Sequence, residues 1–459
     1  MQGTLMSQGI RNRRGMAIAG LLCLLAGLTP SGLLAGAPGV PKEVQTAFDR
    51  KAYQQTLDEL AKLDKEKSAV PDVRRIKIRS LINLGKPKEA LDEYDLLAQS
   101  LKRDDEPVLR EVALGMIVAL VKDMREQMRG AAYTALKEID SNEVVPLFED
   151  GLSDGSGPVR VLAVEGLGRS EAGRKSKKLR GAIEDQAGLV KAGVVKALGR
   201  SGDASVLPLI EAAAKDELSP VRIAAYAALI RLGKKEAWED LRKVADAANP
   251  DDRTDALRAI ADLKDQRGVP LMLNLLTYTQ PSVRGTAARG LGQLGRKEAR
   301  EKIELLLKDP IPAVRESAVS SLAELGTVES VPAIKPLLAD GQVTVRAAAV
   351  AALLQLGQSF EMVADTARAL AQQNDTAARA SIAFALGKAT KANANDAIAF
   401  LGGLTADTLP GPKIVALRSL GHIGDRDVIP LMMEGMHDAN EAVRATAAGG
   451  LLHVLHLKP

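Results

Sequence analysis

The chain has 459 residues, 62 of them basic and 58 acidic, and a formal net charge of +4. Aromatic residues are 2% of it, which argues against the stacking platforms that single-stranded nucleic acid needs. Its single cysteine, Cys23, leaves no partner for an internal disulfide and no thiolate cluster for a metal.

The first 37 residues carry Arg11, Arg13 and Arg14 and no acid. An apolar run follows from Met16 to Leu28, and Ala35-Gly36-Ala37 closes the segment. A basic start, an apolar core and a small-residue end predict a secretory signal peptide over residues 1–37. The run is shorter than the ~20 residues a membrane span needs, so membrane contact would require an uncleaved leader. Removing the leader takes away Cys23 and three Arg, and leaves 59 basic against 58 acidic residues. The predicted location is the periplasm or cell envelope.

Residues 38–106 form a separate helical segment. The stretch from Phe48 to Leu57 aligns with the one from Ile82 to Leu91, an offset of 34 residues. With Gly85 in the turn and Ala90-Leu91-Asp92-Glu93-Tyr94 in the next helix, this segment resembles tetratricopeptide repeats. The charged break Lys102-Arg103-Asp104-Asp105-Glu106 ends it, and Pro107 is suited to start the next helix.

From 107 to 459 the chain reads as helix pairs. The clearest runs from Glu329 to Gly357. A first helix is predicted over Val331–Leu338, with Pro332 near its start. Asp340 and Gly341 break it. A second is predicted over Val345–Leu356, ending at Gly357. Such a pair cannot bury its apolar face alone and needs copies of itself on both sides.

Arg346 marks the copies. Its equivalents are Arg129, Arg160, Lys191, Arg222, Arg253, Arg284, Arg315, Arg379, Lys413 and Arg444. From Arg129 to Arg346 every step is 31 residues, the signature of stacked repeats. Seven residues after the marker, all 11 positions are Leu or Ile, a core column. Nine residues after it, all 11 are polar, a column expected at solvent. Six residues before it, Asp stands in eight repeats, including Asp154, Asp216, Asp309, Asp340 and Asp438. With Arg160, Arg222, Arg315, Arg346 and Arg444, these acids read as a structural ladder. An active site is normally built once, not eight times.

The turn Asp, the Val-Arg that opens the second helix and the Pro of the first helix resemble the HEAT repeat family, including the HEAT-like repeats of phycobilisome lyases. The resemblance covers about Pro107 to the C-terminus. It implies an all-α fold, a right-handed α-solenoid of about 11 helix pairs with a short tetratricopeptide-like N-terminal cap. The stack is expected to extend some ~100 Å at helix spacings of ~8–10 Å. The family is mostly a set of binding scaffolds, so the function it implies is protein binding without catalysis or cofactor.

Three candidate sites stand out. Arg169, Arg200 and Arg231 share the polar column in successive repeats, with Arg174, Lys175, Lys177 and Lys178 beside them. This basic edge fits a protein partner with an acidic surface. His422, His453 and His456 lie near the C-terminus, and His453 and His456 are three apart on one helix. They are weak candidates for a metal. The Asp ladder is interrupted at Ala247 and Tyr278, close to Trp238, the only Trp. A peptide pocket or a change of curvature is expected there.

The reading is a non-catalytic protein–protein scaffold, monomeric, exported to the bacterial envelope, with no nucleic-acid partner. The alternative is a cofactor-handling enzyme of the bilin lyase type, or a protein that binds metal through the C-terminal histidines. Deoxyhypusine hydroxylase, which shares the repeat, uses His-Glu pairs as iron ligands. Here Ile423, Asp438, Val454 and Leu457 follow the four histidines, so that pair is missing.

Overall fold

A computed structural model describes residues 39–139 and 141–456. The predicted leader and Cys23 lie outside the described residues. Among these residues there is no strand. Four helices longer than one turn come first: α1 (Lys42–Asp49), α2 (Tyr53–Leu60), α3 (Pro71–Asn83) and α4 (Pro87–Leu101). The first pair of the recurring unit is α5 (Glu106–Val121) and α6 (Glu126–Glu138). The second helices of later pairs are α7 (Gly157–Arg169), α8 (Gly188–Gly199) and α9 (Ser219–Arg231). After the first helix α10 (Ala237–Ala245) come α11 (Pro250–Asp262), α12 (Pro281–Gln293), α13 (Pro312–Leu325), α14 (Val343–Gln355), α15 (Thr376–Leu386) and α16 (Pro410–Ile423). The chain ends with α17 (Ile429–Met436) and α18 (Glu441–His456).

The residues fall into two compact units. One is Leu152–Val428, and the other joins Met1–Gly151 to Ile429–Pro459. In the first, each second helix packs on the next, from α7 through α16. The predicted core column holds there: Leu167, Leu198, Ile260, Leu291, Leu322, Leu353, Leu386 and Leu420 are all fully buried. Pro220, Pro250, Pro281 and Pro312 stand at the first or second position of their helices, where a missing N–H costs nothing. Gly233, Gly295, Gly326, Gly357 and Gly424 follow the second helices with φ between 65° and 94°, a region that favours glycine. Lys264 takes that place after α11 with φ 54°.

The pair at 329–357 differs from its predicted form. Only Val331–Ile334 is α-helical, and Lys335–Ala339 continues as 3₁₀ helix. Pro336 supplies no N–H for the α ladder, and the turn tightens there. The second helix begins at Val343, two residues before the predicted start, because the Asp340 carboxylate accepts from the Gln342 N–H at 2.9 Å and fixes the turn.

In the other unit, α1 and α2 pack together, and α3 packs on α4. Val44, Leu60, Val73 and Ile76 form a buried cluster among these helices. The start of α2 at Tyr53 and of α4 at Pro87 repeat with the 34-residue offset, as do the left-handed residues Lys51 and Gly85. The chain end does not stand free in this unit. Helix α18 packs against α5 and α6, so the last repeat stacks on the first. A β-carbon on Gly449 would meet the Ala135 carbonyl oxygen at 2.9 Å, which only a bare glycine avoids. The missing side chain at Gly449 lets α18 approach the α6 backbone closely.

Candidate functional site

The Asp column does two jobs, both structural. Each acid accepts from the backbone N–H two residues on, as in Asp185 to Ala187 (2.8 Å), Asp216 to Leu218 (2.9 Å) and Asp309 to Ile311 (2.9 Å). This turn presents the second helix. The marker Arg donates Nη1 to the carbonyl six residues before it. Arg160 to Asp154 is 2.9 Å, Arg222 to Asp216 2.8 Å, Arg315 to Asp309 2.8 Å, Arg346 to Asp340 2.6 Å and Arg444 to Asp438 2.8 Å. Its Nε and Nη2 then clasp the Asp of the following repeat. Arg160 holds Asp185 at 2.7 and 2.9 Å, Arg284 holds Asp309 at 2.8 and 2.9 Å, and Arg315 holds Asp340 at 2.8 Å through both nitrogens. Arg379 holds Asp407 in the same way, and Lys191 pairs with Asp216. Desolvation pulls Asp309 and Asp340 upward, yet their arginines and turn N–H groups outweigh it and leave both below the usual carboxylate range.

Of the three interruptions, at Ala247, Tyr278 and Gln373, the first two differ. Tyr278 replaces the Asp that Arg253 would clasp, and the guanidinium lies 4.4 Å from its ring centroid. This is a cation–π rung in place of an ionic one. Ala247 supplies nothing to Arg222, which donates only to the Asp216 and Glu217 carbonyls among the described contacts. Trp238 does not line a pocket with Tyr278. It is buried in α10 under the Arg267 guanidinium, 4.3 Å from the ring, and Asp265 holds that arginine at 2.6 Å. Each ring is already stacked on an arginine, Tyr278 on Arg253 and Trp238 on Arg267.

The basic edge also changes character. Arg169, Lys177 and Lys178 are exposed. Arg174 turns back and donates to the Gly168 and Arg169 carbonyls at the end of α7, at 3.1 and 3.2 Å. Lys175 pairs with Glu171 at 2.5 Å. Arg200 lies 3.6 Å from the Asp262 carboxylate, and Arg231 is half-buried and donates to the Asp262 carbonyl at 2.6 Å. Desolvation and the neighbouring Arg200 pull the Arg231 guanidinium below its ordinary value. The row is therefore not a uniform line of solvated cations. Two of its three members converge on Asp262, where the column changes sign.

Lys196, which pattern reasoning passed over, joins them with Nζ 2.5 Å from the Asp262 carboxylate. Three cations thus surround one acid. Between α9 and α11 at this point lies a cavity of about 210 Å³. Pro220, Ile223, Ala224, Ala227 and Ala259 supply its apolar lining, and Lys196, Arg231 and Arg258 its cations. Position 227 is five residues after the marker. Lys196, Arg258 and Arg289 fill that position in other repeats, and Ala227 leaves it open. The same α9–α11 seam is the one without a rung at Arg222 and Ala247. Packing across it is looser than between the other consecutive second helices of this unit.

The histidines are engaged with protein groups. His453 Nδ1 lies 3.0 Å from the Glu138 carbonyl, and His456 lies 2.7 Å from Arg110. Burial and the Arg110 charge hold the His456 imidazole below its ordinary value. His422 is exposed on α16. His437 pairs with Asp95 of α4 at 3.0 Å, a contact that leaves no trace in the repeat pattern. Among the described residues, no three His, Cys, Asp or Glu side chains are grouped to hold a metal ion. Nor is any described helix long and apolar enough to cross a membrane.

The sequence profile described as HEAT repeats matches four overlapping stretches, residues 176–261, 238–304, 269–354 and 300–387. Comparison with curated proteins returned no match. Among solved structures, human deoxyhypusine hydroxylase aligns at 19% identity over 55% of this chain and 98% of its own, with a TM-score of 0.30. The CpcE–CpcF complex of phycocyanin lyase from Nostoc aligns at 20% identity over 56% of this chain and 92% of its own, with a TM-score of 0.31. Kap121p bound to Nup53p aligns at 13% identity over 94% of this chain and 56% of its own, with a TM-score of 0.38.

Proposed function

We propose, starting from the fact that this chain is a HEAT-repeat protein over residues 176–387, that it is a non-catalytic scaffold holding a protein partner on its second helices. The observation that carries the proposal is the division of labour among its charges. The recurring carboxylates are committed to turn and ladder, from Asp185 to Asp407. The second helices instead present Lys196, Arg200, Arg258 and Arg289 together with exposed Phe384, 60% accessible. Lys388 Nζ lies 5.6 Å from the Phe384 ring, and a face that carries both cations and an exposed aromatic ring suits a protein surface that offers acidic and apolar groups together. A monomer with one such face is enough for this role.

The basic, apolar and small-residue order of residues 1–37 supports export, and with it a partner in the bacterial envelope. The 34-residue offset in residues 38–106 supports a tetratricopeptide-like cap. The test is retention of envelope proteins on the mature chain, with photo-crosslinkers placed at Arg258 and Arg289 and, as a control, at Glu301 on a first helix. Crosslinks confined to the second helices are the expected result. Crosslinks only at Glu301, or a chromophore or stoichiometric metal in the purified chain, would overturn the scaffold reading.

A further inference from the structure

The α9–α11 seam combines three features. It lacks its ladder rung, since Ala247 gives Arg222 no acid. It holds a cavity of about 210 Å³ with an apolar lining. Three cations meet there at one residue, Asp262, two at its carboxylate and one at its backbone carbonyl. A cavity of about 150 Å³ is enough to admit benzene, so this one takes a branched or aromatic side chain.

The charges around it are unbalanced. Lys196 and Arg200 approach the Asp262 carboxylate, but Arg231 reaches only its backbone carbonyl. Arg258 is neutralised by Asp255 at 2.7 Å. Lys196, Arg200 and Arg231 against Asp262 leave an excess of two positive charges beside the cavity. Arg231 is half-buried, so its field is less screened by solvent than that of a surface cation. A second carboxylate arriving here would find guanidinium donors not yet committed to an acid.

From this we infer that the seam is the specificity pocket of the scaffold, and that it takes an extended protein segment with an acidic side chain next to a large apolar one. The carboxylate sits among Lys196, Arg200 and Arg231, and the apolar side chain fills the cavity over Ala224 and Ala227. This rests on the scaffold reading above and narrows it to one seam and one partner chemistry. The paired acidic and apolar requirement separates a peptide from a nucleic acid or a lipid surface, which would need the cations alone.

The test uses the mature chain and three fluorescent 12-residue peptides, alternating Glu-Leu, Glu-Gly and Lys-Leu. Glu-Leu is expected to bind at least tenfold more tightly than either of the others, with affinity falling as salt rises. Ala227→Phe fills the cavity and is expected to weaken Glu-Leu at least tenfold. Arg231→Gln is expected to do the same through the charge. Helix content and melting, measured on both variants, tell a lost pocket from a lost fold, and Ala224→Leu serves if Ala227→Phe does not fold. Equal binding of Glu-Leu and Glu-Gly, no binding of Glu-Leu, or wild-type affinity in a folded cavity-filling variant would overturn the inference. So would preferential binding of single-stranded DNA or anionic vesicles that the folded cavity-filling variant retains. Envelope partners still retained by folded Ala227→Phe and Arg231→Gln variants would place the failure at this seam. A wild-type chain that retains no partner would place it in the scaffold reading itself.

Discussion

His453 donates from Nδ1 to the carbonyl oxygen of Glu138 at 3.0 Å, although 315 residues separate them. Arg231 and Asp262, one repeat apart, make the same contact from the same two columns, at 2.6 Å. In that contact the last repeat of the chain stands where the repeat preceding the first would stand. Arg125 supports it by bridging Asp123 and Glu441, at 2.9 and 2.5 Å.

The approach of α18 to α6 sets a first prediction. Gly449→Leu forces a side chain into the Ala135 backbone and should cost at least about 2 kcal/mol, in the range of overpacked cores. Hydrogen exchange should then rise in residues 429–456 and in α5 and α6. Exchange in α12 and α13 should stay unchanged. Uniform loosening of both regions, or none, would contradict the local role of this glycine.

Asp309→Ala removes a buried acid and leaves Nε and Nη2 of Arg284 without their carboxylate. The Arg284 and Asp309 side chains are 13% and 6% accessible, so the change should cost about 3 kcal/mol, at the low end for breaking a buried pair. Asp255→Ala removes an exposed partner of Arg258 and should cost less than about 1 kcal/mol. Denaturant midpoints of the two variants check the contrast, and equal losses would remove the ladder from its structural role.

The ladder also sets an acid limit. Asp185, Asp216, Asp309, Asp340 and Asp407 all lie below their ordinary value in the folded chain. A depressed acid contributes stability that is present above its unfolded value of ~3.9 and lost as pH falls through the folded value. Stability should therefore be insensitive to these groups near neutrality and fall below about pH 4. The double variant Asp309→Asn, Asp340→Asn should start lower and fall less steeply with acid. Urea midpoints between pH 7 and pH 3 would measure both slopes.

Lys264 offers a gain. It holds φ 54° in a column where Gly295, Gly326 and Gly357 stand in the other repeats. Lys264→Gly should relieve that strain and stabilise by up to about 1 kcal/mol. A lower melting temperature would mean that the lysine side chain supplies more than the backbone loses.

Much of this was legible in the sequence. The recurring marker, in steps of 31 residues from Arg129 to Arg346, located the second helices, because its core Leu and cap Gly answer to local geometry that repeats. Pro336 was in plain view, but its effect depends on how short the first helix is. The directions of Arg200 and Arg231 were not legible, because a polar column says only that a side chain reaches the surface. It does not say that Asp262 will gather three cations. Tyr278 read as a gap because the pattern counted acids, whereas Arg253 accepts a ring as readily. The contact of α18 with α6 leaves only Gly449 as a trace, and one glycine among 40 carries no address.

The clasping arginines also distribute stiffness. Where Arg284 and Arg315 grip Asp309 and Asp340, neighbouring repeats are tied along one edge by paired, nearly inextensible bonds. The tie is missing between Arg222 and Ala247, and Gln373 stands where Arg346 would find its acid. Bending strain in residues 152–428 should therefore gather at these two joints, with tied blocks moving as single bodies between them. The first joint is the seam that holds the cavity. A guest seated there would act as a splint as well as a ligand, and the elasticity of the array would report its occupancy.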